Sequence, residues 1–230
     1  ENIQELEEQM LMQLNDRFRK YIDDKIESYR INIADPNVNA IGPDQQRFIL
    51  NGLLLNDASL EEAAFINTAG IVENQVLRNN AAAGSGQIDL SADPAYLTAK
   101  ESKDYTSDIE FVNNVPRITI ASPVVNQKNQ IIAILQTKAS LAGLSDMMAS
   151  AILGEQGYSY VTDQNHKIIA VSERVDKKLV GETADGKILS EAEEKAVISP
   201  DDLLAGINSP STFSSAKKIP ALNWIVAAEW

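Results

Sequence analysis

The sequence predicts an α+β chain: a long N-terminal helix followed by two modules, each an antiparallel sheet flanked by helices. Three observations predict it. Apolar residues recur at helical spacing through residues 1–32. Arg117–Leu141, RITIASPVVNQKNQIIAILQTKASL, reads as two strands and the turn between them. The order strand, turn, strand, helical insertion, hairpin occurs twice along the chain, as a repeat of order rather than of residue identity. The boundaries that follow are 1–34 for the stalk helix, 35–153 for the first module and 154–230 for the second.

In the helix, Leu6, Met10, Leu14, Phe18, Ile22, Ile26, Tyr29 and Ile33 are spaced by three and four, with charged residues between them. About 30 residues at 1.5 Å each make roughly 45 Å, more than a small domain needs for its own core. The stripe therefore serves either packing along two domains or a stalk and dimer contact. Asp35-Pro36 ends the helix. Pro43–Leu55 is a second helix, and Asp57–Glu62 a turn or short helical piece. Ala63–Thr68 and Ile71–Val76 are strands about an Ala69-Gly70 turn, and Asn79–Gln87 is a small, polar loop. Asp89–Asp93 leads into a helix over Ala95–Glu101 with Pro94 at an early position. Asp104–Phe111 is polar and reads as a loop before the main hairpin.

In that hairpin, Ile118, Ile120, Val124, Ile131, Ile132, Ile134 and Leu135 favour strands, Asn126–Gln130 is the break, and Pro123 suits a bulge or an edge. Ser140–Leu153 is a helix with Ser140 as its cap. The second module opens with strands Tyr158–Thr162 and Lys167–Ser172 about the turn Asp163–His166. A charged loop (Asp176–Gly186) and short helices or turns at Glu191–Ala196 and Asp201–Ala205 follow. A hairpin of Ser211–Ala216 and Leu222–Ala228 closes the chain.

Composition narrows the function. An apolar fraction of 44% supplies a core, and a net charge of −13 disfavours a nucleic-acid partner. The chain has no cysteine, which excludes zinc-thiolate sites, disulfides and a thiol nucleophile. No apolar run is long enough to span a membrane. The sequence begins without Met inside a helical pattern and stops after an apolar strand, as a piece of a longer protein would. His166, the one histidine, falls in a turn without ligand-spaced partners, and Asp163/Asn165 lack the Gly and Glu of a calcium loop. The acidic runs Glu5–Glu8 and Glu191–Glu194 read as solvated helix faces. There is no Gly-x-Ser-x-Gly elbow or phosphate-binding Gly loop, so an enzyme is not expected, nor a cofactor or metal.

Four pieces in this order carry a family resemblance: the long first helix; Asp89–Ala99, DLSADPAYLTA; Ile118–Leu141 with its Ala121-Ser122-Pro123-Val124; and Gly157–Ser172, GYSYVTDQNHKIIAVS. The chain resembles the double Cache (tandem PAS-like) sensor domains of prokaryotic receptors. Trp224–Ala228 is similar to the family's final strand before a transmembrane helix. The resemblance implies two PAS-like modules outside the cytoplasmic membrane, between transmembrane helices that anchor the parent protein. The output would be a histidine kinase, a chemoreceptor helix or a cyclic-dinucleotide enzyme, serving two-component signalling or chemotaxis. The distal module (35–153) would bind a small molecule between sheet and lid, and the first helix would support a homodimer through its Leu6–Ile26 stripe.

Departures from the family direct the ligand expectation. Amino-acid-binding members carry an R-x-W-Y lid motif and an Asp near the end of the last hairpin strand. Here only Tyr96 of the lid motif matches, Asp93 and Ala95 replacing Arg and Trp, and Lys138 stands where the Asp would be. A lysine attracts a carboxylate, phosphate or sulfonate, so a small organic anion is expected. The candidate ligand-binding residues are Tyr96, Tyr105, Asp108, Arg117, Thr119, Ser122 and Lys138. Each has a structural alternative. Lys138 can be a solvated strand end, Arg117 can pair with Asp108 or Glu110, and the tyrosines can pack on the sheet. Thr119 and Ser122 reach one pocket only if a bulge lies near Pro123. The alternative functions are an amino-acid or amine sensor using the lid acids, and a non-binding spacer.

Overall fold

A 3.6-residue period over so long a stretch dictates α1, which runs Ile3–Ile33. The computed structural model describes residues 3–33, 41–79, 87–149, 157–184, 203–204, 212–219 and 222–229. Among them no helix is long and apolar enough to cross a membrane. Leu11, Leu14, Phe18, Ile22, Tyr29 and Ile33 are all buried. The Leu14–Ile22 part of the stripe is thus covered by the chain itself. Asp35-Pro36, Glu191–Ala196 and the side chains of Glu5–Glu8 lie outside the described residues.

The chain divides into two compact units. One comprises Glu1–Ile22, Ile109–Pro116 and Leu141–Trp230; the other comprises Asp23–Asp108 and Arg117–Ser140. In the second, α2 (Pro43–Asn56) starts with Pro43 at its first turn and Asp44 complementing the helix dipole. β1 (Leu60–Ile66) follows, so the strand begins three residues before the alternation suggests. Leu60 is fully buried and pairs with Ala139 across a register shift, which absorbs Glu61. β2 (Val72–Leu77) returns antiparallel. The turn between them requires Gly70, whose φ is +89°, and a Cβ there would stand 2.5 Å from the Ser91 backbone. Gly70→Ala is expected to cost about 2 kcal/mol or more, from left-handed strain plus overpacking, in urea unfolding followed by circular dichroism. A loss below about 0.5 kcal/mol would show that the turn rearranges freely.

α3 (Pro94–Lys100) is capped by Asp93, whose carboxylate accepts from Ala95 N at 2.8 Å. The polar stretch after it is not a plain loop. β3 (Tyr105–Thr106) pairs with Ala121 and Ile120, and β4 (Glu110–Val112) pairs with β5 (Val115–Val125). Tertiary pairing overrode local polarity there. With β6 (Ile131–Ser140) the sheet order is β2-β1-β6-β5-β3. Pro123 pairs with Ile134 beyond the two β3 partners, where the other side of β5 needs no donor from it. The irregularity falls one step later, between Val124 and Val125.

Ser140 proves to be the last residue of β6 and not a cap. In the other unit, the described part of the expected Ser140–Leu153 helix holds α4 (Leu144–Met148), entered from Gly143 without a side-chain cap, and residues 150–153 lie outside the described residues. β7 (Tyr158–Thr162) and β8 (Ile168–Val171) form the expected pair, with half-buried His166 at φ 61° in their turn. β9 (Leu203–Leu204) is a strand where a short helix or turn was expected. It pairs with β10 (Thr212–Ile219), which pairs with β11 (Trp224–Glu229). The order is β8-β7-β11-β10-β9. Phe18 of α1 meets Trp224 edge-on at 6.4 Å.

Candidate functional site

The alternation of β1 and β6 sorts the second unit's sheet into two faces. Register puts Glu62 opposite Lys138 and Lys138 opposite Thr119, so these three share one face. Ala64, Gln136, Ala121 and Tyr105 form the next row on it, and Ile66 with Ile134 the row after. At that end α3 covers the face through a buried cluster of Ile66, Ala95, Tyr96, Ala99, Ala121 and Ile134, with Tyr105 packed against it. The face therefore grades from charged to apolar along β6.

Lys138 carries the charge in this gradient. Its side chain is 41% exposed and its Nζ stands 3.3 Å from Glu62 Oε2. Glu62 Oε1 also accepts from Gln75 Nε2 at 2.6 Å. Gln136, two residues before Lys138, is 8% exposed, and among the described residues its Oε1 has no hydrogen-bond partner. Thr119 donates its backbone N–H to Ser107 Oγ at 2.9 Å, which ties the segment after β3 to the sheet. Tyr105 has its hydroxyl pKa raised, by burial first and then by the negative charges of Asp93 and Asp108.

The seven residues expected from sequence do not all converge. Lys138, Thr119 and Tyr105 share the face just described. Tyr96 lies in its α3 cover, 1% exposed, with its hydroxyl donated to Thr68 O at 2.7 Å. Its hydroxyl thus ties α3 to the β1–β2 turn. Asp108 is exposed, and among the described residues its carboxylate makes no hydrogen bond or ion pair; it orients neither cation. Arg117 does form an ion pair, but with Glu61 (Nε to Oε2, 2.5 Å) rather than with Asp108 or Glu110. Ser122 is an odd number of residues from Thr119 with no bulge between, so it points to the opposite face, buried there with an unpartnered Oγ. Sequence reasoning missed Glu62, Gln75 and Gln136. The consecutive acids Glu61 and Glu62 at the start of an apolar strand were the available signal, but only the β1–β6 register shows which of them meets Lys138.

A separate cavity of about 560 Å³ opens at the turn end of the β5–β6 hairpin, among Arg30, Ile33, Asp104, Pro123, Val125 and Asn129. None of the seven residues lines it. Its cation and acid, Arg30 and Asp104, are already paired with each other, so the graded face is the better candidate site. Among the described residues no group of three His, Asp or Glu side chains is arranged to hold a metal ion.

The model of the Cache 3/Cache 2 fusion domain matches residues 77–230. No curated protein matches the chain. Among solved structures it is similar to the ligand-binding domain of the Pseudomonas aeruginosa PAO1 amino acid chemoreceptor PctC in complex with GABA. That likeness has a TM-score of 0.66 and 14% identity over the whole of both chains. It is also similar to the extracellular domain of the putative histidine kinase mmHK1S-Z2, at TM-score 0.66 and 11% identity, covering 96% of this chain and 94% of that one. A third is the extracellular ligand binding receptor from Desulfohalobium retbaense DSM5692, at TM-score 0.67 and 14% identity. There 96% of this chain is covered, and it spans only 39% of the other.

Proposed function

Because the chain belongs to the Cache 3/Cache 2 fusion domain family, we propose that it is the extracytoplasmic, non-catalytic sensor part of a membrane receptor. It binds a small carboxylate-bearing molecule on the graded face and relays the change to an output across the membrane. The observation that carries the ligand class is the state of Lys138. Its pairing with Glu62 spans 3.3 Å at a site 41% exposed on the lysine side. Such a pair is worth about 0–1 kcal/mol, so a ligand carboxylate can take the lysine at small cost. The lid acids support the amine alternative less well. Asp93 is spent on capping α3 and Asp104 on Arg30, which leaves Asp108 uncommitted and exposed.

One observation favours a second, narrower reading. Glu62 sits beside Lys138, so a ligand with a positive group next to its carboxylate satisfies both side chains, whereas a pure anion leaves Glu62 facing like charge. GABA, held by the similar PctC domain, has both groups. Titration calorimetry with small carboxylates, amino acids and amines on wild type and Lys138→Met tests both readings. A carboxylate-bearing ligand weakened at least about tenfold by Lys138→Met, roughly 1.4 kcal/mol, is the expected result. An amine that binds equally well to both proteins, or a panel without any binder, would overturn the carboxylate reading.

A further inference from the structure

We propose that Gln136 sets the specificity of this site: the ligand carries, beside its carboxylate, an N–H or O–H donor that fills the unpaired Oε1 of Gln136. The proposal rests on the reading of Lys138 as the carboxylate anchor. A side-chain amide oxygen that is buried without a donor is uncommon in a folded protein, because its hydration is lost and nothing replaces it. Gln136 is more than nine-tenths buried, and its Oε1 is in that state. Ser122 Oγ is also unpartnered and buried, but it points to the other face of the sheet, away from Lys138.

The surroundings of Gln136 give the orphan oxygen an address. Its neighbours across β1 and β5 are Ala64 and Ala121. Both are side chains much shorter than the amide between them, and neither carries a donor for its oxygen. Lys138 lies two residues along the same strand and on the same face, about 7 Å away at a strand rise of roughly 3.4 Å per residue. On the other side the face turns apolar under α3, at Ile134 and Ile66. A small molecule lying along β6 thus meets a cation at one end, an acceptor in the middle and an apolar cover beyond. A lone acceptor discriminates by donor. A ligand that lacks one must leave the oxygen unpaired, and a site of this kind rejects such analogues strongly.

The test is titration calorimetry on the full 230-residue chain with acids matched except for the donor: propionate, lactate and alanine, then succinate, malate and aspartate. In wild type a donor-bearing acid is expected to bind at least about tenfold more tightly than its plain partner. Whether lactate and malate or alanine and aspartate show the gain identifies the donor as hydroxyl or amine. In Gln136→Met, which keeps the length and removes the acceptor, the preference should fall below about threefold while the plain acid keeps its affinity. The unliganded Gln136→Met protein should melt at or above the wild-type temperature, since an unpaired polar group has been replaced by an apolar one. Gln136→Leu serves as the second apolar variant. Equal affinity for plain and donor-bearing acids in wild type overturns the proposal. So does an equal loss of both on substitution, or a melting temperature lowered by more than about 5 °C, which would mark the amide as structural. Lys138-dependent binding without donor preference sinks only the role of Gln136, whereas acids that do not bind, or bind without regard to Lys138→Met, sink the carboxylate site itself.

Discussion

Asp57→Ala is expected to destabilise the second unit by about 3 kcal/mol. Asp57 ends α2 and gathers donors from α1 and from the start of β1. Its Oδ2 accepts from Lys25 Nζ at 2.7 Å and from Tyr29 OH at 2.6 Å, and its Oδ1 accepts from Ser59 N at 2.9 Å and Oγ at 2.7 Å. Lys25 is only 9% exposed, so removal of the carboxylate leaves a largely buried ammonium without its counter-charge. Burial would raise the Asp57 pKa, but the hydrogen bonds from Lys25, Tyr29 and Ser59 outweigh it and lower it from 3.8 to about 2. A folded pKa below the unfolded one makes a contribution that is full above the unfolded value and is lost as pH falls through the folded one. The stability gap between wild type and Asp57→Asn should therefore be constant above about pH 5 and shrink steadily as the solution approaches pH 2. Urea unfolding at a series of pH values reads both quantities. A gap below 1 kcal/mol at neutral pH, or one that widens in acid, would refute the assignment.

Glu229→Ala should have an equal or larger effect on the other unit, about 3–5 kcal/mol. Glu229 is fully buried on β11, where Tyr160 donates to Oε1 at 2.6 Å and Tyr158 donates to Oε2. Antiparallel register places the Glu229 side chain directly against Tyr158 on β7, with Tyr160 diagonal to it. Burial and then the Glu229 carboxylate push the Tyr160 hydroxyl well above its ordinary pKa, so Tyr160 stays a donor at any physiological pH. Loss of the acceptor removes both phenol–carboxylate bonds from the core and opens a cavity as well. Tyr160→Phe should cost less, about 1–2 kcal/mol, because the bond from Tyr158 to Oε2 remains. Replacement of all three by Phe, Phe and Leu should recover much of the Glu229→Ala loss, since the carboxylate and both phenols then leave the core together. If the triple variant is no more stable than Glu229→Ala, packing rather than hydrogen bonding holds this sheet.

Both networks show why some of the molecule was legible in its sequence and some was not. α3 could be read because its start is local: Asp93 caps Ala95 N and Pro94 takes the first turn, all within three residues. The β5–β6 and β7–β8 pairs could be read for the same reason, with apolar runs on either side of short polar turns. β3 and β4 could not, because Asp104–Phe111 has the composition of a loop and became strand only where β5 offered free edge groups. The site followed the same division. Lys138 could be singled out only through the resemblance, as the residue that stands where amino-acid-binding members carry an Asp. Its partner Glu62 could not, nor the pairing of Arg117 with Glu61, because each pair joins strands far apart in sequence.

The sequence by itself determined the α+β class, the long first helix, the two hairpin-centred modules and the acidic, cysteine-free character of the chain. Each of these follows from periodicity, turn chemistry or composition, which act over a few residues. Only the tertiary structure decided which polar groups meet. The β1–β6 and β5–β6 registers set Glu62, Lys138 and Thr119 on one face, turned Ser122 to the other and left Gln136 Oε1 without a donor. Register has this power because side chains alternate with a period of two, so a shift of one residue exchanges every group between the faces.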